Sequence, residues 1–184
     1  VECLFQRNLD RASAGLGRLK TLSRGPAFQI TGCKGVRMQK VAVDKLRNVA
    51  LVSHGGTGKT SLAEAMLFGT GTTTRLGKVE EGNTASDYEP EEIKRQGSIQ
   101  TSVVPCEHRD HKITLLDTPG YVEFIGEVYS ALRAADAAIV PVSAPSGVEV
   151  GTEITWKLMD ERSLPRIVFI NRMDRENADF YQCL

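Results

Sequence analysis

Residues 53 to 60 read Ser-His-Gly-Gly-Thr-Gly-Lys-Thr, a run in which glycines mix with small polar residues before a lysine and a hydroxyl. Glycines let the backbone turn successive N–H groups toward one point, and a helix beginning there adds its positive end, so the combination suits an anion. The run follows the GxxxxGK[ST] phosphate-loop pattern except at Ser53, where the pattern has glycine. On this reading Ser53, His54, Gly55, Gly56, Thr57, Gly58, Lys59, Thr60 and Ser61 surround the phosphates of a nucleotide. The Lys59 ammonium would meet the β- and γ-phosphates, and the Thr60 hydroxyl a magnesium ion. His54 is expected to pack against or bond the loop backbone.

Two later clusters fit the same site. Asp117-Thr118-Pro119-Gly120 pairs a carboxylate able to hold magnesium through a water with a glycine whose bare N–H can approach a terminal phosphate. The same residues also make an ordinary turn, so their weight comes from following a phosphate loop at a strand end. Asn171-Arg172-Met173-Asp174 addresses the base. The Asp174 carboxylate can accept from N1–H and the exocyclic amine of guanine, a donor pair that adenine lacks, and an unmet buried acceptor costs about 1–3 kcal/mol. Asn171 would bridge base and phosphate loop, and the Arg172 stem would cover the ring. GTP and GDP are therefore expected over ATP, with an adenine-nucleotide kinase or ATPase as the alternative.

These residues need a frame. Val49 to Val52 reads as a buried strand, and Leu62, Ala65 and Met66 recur at helical spacing after the loop. Gly69 to Gly97 is long, polar and irregular, which inside a compact domain points to function or mobility. Ile99 to Val104 and Lys112 to Leu116 are expected to pair as a hairpin across Cys106 to His111. Val122, Ile125, Tyr129 and Leu132 stripe a helix, Ala137 to Val142 is a strand, Val150, Ile154 and Leu158 stripe another helix, and Arg166 to Ile170 is a strand. Trp156 is expected to serve packing. Strands alternating with helices imply an α/β fold, a mostly parallel sheet with helices on both faces, of the P-loop NTPase kind. Ligands of such sheets lie beyond the carboxyl ends of the strands, where the three clusters fall.

Composition sets bounds on this reading. The 184 residues are 41% hydrophobic and 25% charged, ordinary for a globular protein. The zero net charge conceals a division: residues 1–40 carry eight Lys or Arg against Glu2 and Asp10, which leaves residues 41–184 with 15 basic and 21 acidic groups. The basic segment is expected to be a disordered leader or extension, with a targeting peptide or a nucleic-acid-binding arm as alternatives. Cys3, Cys33, Cys106 and Cys183 lie far apart without a CxxC pair, which argues against zinc and a disulfide framework and for a reducing cytoplasm. No apolar run approaches a membrane span.

Residues 46 to 182 resemble the GTP-binding domain of elongation factor G, the translational GTPase, and in particular its elongation factor G-like paralogues. The segments that carry the resemblance are VALVSHGGTGKTSLAEAML, LLDTPGYVEFIGEV, AAIVPVSAPSGVEVGTE and PRIVFINRMDRENADF, in the family's order. The resemblance implies a GTP hydrolase with GTP/GDP and Mg2+, acting on the ribosome as a monomer, with neither membrane nor DNA as partner. It places the family's switch-loop threonine on Ser98, so that Thr60, Ser98 and Asp117 would hold the metal and residues 69–97 would form the first switch loop. Lys59, Ser98, Gly120 and Tyr121 would be the catalytic positions. Three departures stand out: Gly56 replaces the family's Asp, Arg172 its Lys, and Tyr121 the histidine that positions the attacking water. A neutral phenol cannot present a cation to the transition state, which implies slow hydrolysis or a GTP/GDP-binding switch. The family's fifth guanine motif, a Ser-Ala loop, lies beyond the NKMD equivalent. With the initial Val1, that leads to the expectation of a piece of a longer chain and a sheet short of its last strand.

Overall fold

Ala50 and Leu51 are neighbours on one strand, point to opposite faces, and are both fully buried. A sheet that buries alternate side chains in this way has to be covered twice. The computed structural model describes residues 41–183, and the expectations for residues 1–40 lie outside them. Strand β1 (Leu46–Leu51) lies between β3 (His111–Asp117) and β4 (Ala137–Ser143), parallel to both. Strand β5 (Arg166–Asn171) is parallel to β4, and β2 (Ser102–His108) runs antiparallel to β3. The order across the five-stranded sheet is β2-β3-β1-β4-β5.

Helix α1 (Lys59–Gly69) covers one face, setting Ala63 and Leu67 on Leu51, Leu115, Val104 and Cys106. The other face carries α3 (Ile125–Ala134) and α4 (Val150–Glu161), which place Val128, Ala131, Leu132 and Met159 over Ala50, Val52, Leu116 and Val140. A short helix, α2 (Pro90–Arg95), interrupts the long connection between α1 and β2. The four parallel strands end at one edge of the sheet, and the loops after β1, β3 and β5 carry the three clusters of chemistry there.

Several sequence expectations need correction. Strand β2 starts at Ser102 and runs through Cys106 to His108, so the hairpin turn is only Arg109-Asp110, both at positive φ. In α1 the buried face holds Ala63, Glu64 and Leu67, while Ala65 is exposed. Val122 and Tyr129 are exposed; the buried stripe of α3 is Val128, Ala131 and Leu132. In α4 the buried residues are Gly151, Thr152, Thr155 and Met159, one position away from the apolar stripe that starts at Val150. Trp156 is partly exposed and lies under the Arg166 guanidinium, 4.0 Å from its ring centroid. The covering of the sheet is incomplete at β5, where Ile167 is 69% and Phe169 41% exposed.

Candidate nucleotide site

The loop between β1 and α1 is braced by its own side chains. Ser53 and Thr57 are both almost fully buried, and their hydroxyls lie 2.6 Å apart. Thr57 Oγ1 also donates to the His54 carbonyl at 3.1 Å. The serine that departs from the glycine pattern thus closes the loop with a hydroxyl pair. The Lys59 ammonium donates to the carbonyls of His54 (2.8 Å) and Ser53 (3.2 Å) and lies under the loop. His54 does not turn into this loop: its Nδ1 accepts from Gly151 N–H at 3.3 Å, which ties the loop to the first turn of α4.

Below the loop runs a continuous chain of buried polar groups. Thr60 Oγ1 donates to Asp117 Oδ2 at 2.8 Å and lies 3.2 Å from Ser98 Oγ, which in turn donates to Asp87 Oδ1 at 2.7 Å. The other oxygens of both carboxylates, Asp117 Oδ1 and Asp87 Oδ2, are buried and have no close hydrogen-bond donor among the described residues, although the Ser86 hydroxyl lies near enough to pull Asp117 down. Two hydroxyls and two half-satisfied carboxylates form an all-oxygen donor set, the kind that a hard cation such as magnesium takes. Burial pushes Asp117 up to about 6, against the pull of the Thr60 hydroxyl and the Lys59 charge. Burial also lowers Lys59 to about 8, although Asp117 and Asp87 oppose it. Burying both groups costs free energy that their mutual attraction offsets only in part.

A cleft of about 260 Å³ opens above this chain, lined by Gly55, Gly56, Gly58, Lys59, Thr60, Ser61, Asp87, Ser98, Thr118, Gly120, Tyr121 and Arg172, together with Val79, Glu80, Gln96 and Gly97 of the long connection. Gly120 is packed so closely that a Cβ would stand 2.4 Å from Lys59 Nζ and 2.6 Å from the Gly55 backbone. Its bare N–H therefore belongs to the same space as the phosphate loop. On the base side, Asn171 Nδ2 donates to the Thr57 carbonyl at 2.9 Å, joining the end of β5 to the loop. Arg172 reaches the cleft with its backbone in the left-handed region (φ 60). Asp174 is exposed, stands 4.0 Å from Arg175 Nε, and is not among the cleft-lining residues.

The family described as the elongation factor Tu GTP binding domain matches residues 44–184. The chain belongs to this family. Among its relatives, elongation factor G of Gluconobacter oxydans 621H is 41% identical over 148 residues, which cover 80% of this chain and 21% of that protein. The mitochondrial ribosome-releasing factor 2 of Drosophila melanogaster is 43% identical over 140 residues, 76% of this chain and 19% of that one. A crystal structure of a Thermus thermophilus protein superposes with a TM-score of 0.72 at 48% identity, covering 74% of this chain and 21% of its own. The chain spans about a fifth of the length of these relatives. It is a GTP-binding domain of the elongation factor G type.

Within this GTP-binding domain, Ser98, which the resemblance sets at the switch-loop threonine, lies in the buried chain beside Thr60. Tyr121 takes a different place: its ring is half-exposed and packs along the phosphate loop, 3.3 Å from where a Cβ on Gly55 would stand and 3.5 Å from one on Gly97. Sequence reasoning missed three groups that build the site. Asp87 partners Ser98, and the buried Glu64 and Glu92 accept backbone N–H groups from the long loop. No periodicity marks these acids. The only available signal is a carboxylate on the otherwise apolar face of α1, where a buried charge demands partners.

Proposed function

We propose that this domain binds GTP and GDP with magnesium, hydrolyses GTP, and does so in the cytoplasm as part of an elongation factor G-like factor working on the ribosome. The observation that carries the reading is the buried Asp117–Thr60–Ser98–Asp87 chain beside Lys59 and Gly120, since it joins the phosphate loop, the strand-end aspartate and the long loop at one point. Lys59 and the loop amides hold the phosphates, Gly120 N–H faces the terminal one, and Thr60, Ser98 and Asp117 supply the oxygens for magnesium. When bound, that ion neutralises charge on the β- and γ-phosphates. Asn171 and Arg172 flank the base, and Asp174 recognises its edge.

The place of Tyr121 against Gly55 and Gly97 favours a second reading, in which the domain is a GTP/GDP-binding switch with weak hydrolysis. A phenol there can donate one hydrogen bond to a water, but unlike imidazole it has no cationic form to offer. Single-turnover hydrolysis by the full-length protein, with and without ribosomes, separates the two: ribosome acceleration supports the hydrolase, and rates near zero in both conditions support the switch. Tyr121→His is expected to raise the ribosome-stimulated rate at least about tenfold, since positioned acid–base groups contribute roughly 10²–10⁴. An unchanged rate would remove water positioning from that residue.

The raised Asp117 gives a pH test. Its protonated form contributes stability to the metal-free fold that is complete below the ordinary aspartate value and is lost as pH rises through about 6. Magnesium needs the carboxylate. Affinity for magnesium in the GDP complex is therefore expected to fall by up to about tenfold per pH unit below the pKa and to level off above it. Calorimetry from pH 5 to pH 8 should show this slope in the native protein and lose it in Asp117→Asn. The same slope in both would assign the titration to the nucleotide phosphates.

A further inference from the structure

Gly55 belongs to the phosphate loop and Gly97 to the long connection before β2, and neither has a positive φ, so the backbone does not call for glycine at either position. What both lack is a side chain that would meet one and the same ring. A Cβ on Gly55 would stand 3.3 Å from Tyr121 Cε1 and 3.5 Å from its Cδ1 and Cζ, and one on Gly97 would stand 3.5 Å from Tyr121 Cε2. Cε1 and Cε2 lie on either side of Cζ, the carbon that bears the hydroxyl. The two glycines therefore flank the ring at its polar end. A methyl would already crowd the ring at Gly55 and touch it at Gly97, and a larger side chain would contend with it for the same space.

The neighbours of this slot define what the hydroxyl faces. Gly120, the residue before Tyr121, is packed against Lys59 Nζ and the Gly55 backbone. Ser98, the residue after Gly97, holds its hydroxyl 3.2 Å from Thr60 Oγ1. Lys59, Thr60, Ser98, Gly120 and Tyr121 all line one cleft. The phenol end is thus bracketed by the ammonium proposed for the β- and γ-phosphates and by the hydroxyls proposed for magnesium, and a terminal phosphate has to lie between those two. The Tyr121 hydroxyl has no hydrogen-bond partner among the described residues.

We infer that Tyr121 is a contact for the terminal phosphate, its hydroxyl donating to a γ-phosphate oxygen, that Gly55 and Gly97 form the slot admitting its ring, and that this residue sets the preference for triphosphate over diphosphate. An O–H group donating to an anionic oxygen makes a charge-assisted bond, roughly twice as strong as one between neutral groups. GDP has no oxygen at that place, so GTP alone gains from it. A hydroxyl engaged by the phosphate is also withheld from the attacking water, which agrees with weak hydrolysis. The inference rests on the guanine-nucleotide reading above and gives Tyr121 a binding role within it.

Calorimetry on the full-length protein with magnesium and either GDP or a non-hydrolysable GTP analogue tests it. Tyr121→Phe keeps the ring in its slot and removes only the hydroxyl, so affinity for the analogue should fall about tenfold or more while that for GDP changes by less than about threefold. Gly97→Val fills the slot from the other side and should bring the same selective loss, with nothing further lost in the double variant, because both changes act through one contact. A ring that only packs would leave both affinities unchanged in Tyr121→Phe. One that serves only the attacking water would also leave them unchanged while single-turnover hydrolysis slows. Either result overturns the inference, as does an equal loss for the two nucleotides, which would mark Tyr121 as a support of the loop. Losses that add in the double variant overturn the shared slot. Native protein that binds neither nucleotide overturns the guanine-nucleotide reading as well.

Discussion

Lys59→Ala is expected to weaken binding of GTP and GDP by about a hundredfold or more, the largest loss available from a single side chain in this site. The ammonium is buried under the loop, where it donates to the carbonyls of Ser53 and His54, and burial holds it down to about 8 against the charges of Asp117 and Asp87. A phosphate oxygen replaces a weak neutral acceptor with a charged one in the same desolvated place. Hydrogen bonds to charged groups contribute roughly 1.5–3 kcal/mol each, and two of them amount to about two to four decades of affinity. Fluorescence titration with a labelled guanine nucleotide measures the effect directly. An affinity within a factor of about three of the native value would mean that the loop does not hold phosphates, and the proposed function would fail at its first step.

Asp174→Asn is expected to move base preference from guanine to xanthine. On the proposed reading the carboxylate would accept two N–H groups of guanine, whereas the amide would present a donor to one of them and a matching donor to the xanthine 2-oxo group. Each mismatched buried contact costs about 1–3 kcal/mol, so GTP affinity should fall by about tenfold to several hundredfold while that for XTP rises. Competition binding with GTP, XTP and ATP reads this out. Equal competition by ATP with native protein would favour an adenine-nucleotide enzyme. The exposed position of Asp174 makes the experiment sharper: recognition requires a base that lies across the Asn171–Arg172 end of the cleft and covers the carboxylate.

The placement of the three motif runs was legible in the sequence because each run is short. Phosphate loop, Asp117 turn and Asn171 turn each keep their residues within a few positions, and strand–helix alternation fixed that all three fall at one edge of a parallel sheet. Helix faces were read less well. In α1 and α4 small and polar residues, Ala63, Glu64, Gly151 and Thr155, occupy buried positions, while large apolar ones such as Val150 stand outside. Apolar periodicity has no means of marking a face whose burial is set by a close backbone approach or by a hydrogen bond.

What the sequence determined by itself was the kind of fold and the family to which the chain belongs. Tertiary structure alone decided which acids serve the site. Asp87 reaches Ser98 across eleven positions, Glu64 reaches Gly77 and Ala85 across thirteen and twenty-one, and His54 meets Gly151 ninety-seven positions away. A buried carboxylate or imidazole takes its partners from whatever backbone folding brings within about 3 Å, and that proximity is a property of the packed sheet and its loops rather than of any local run of residues.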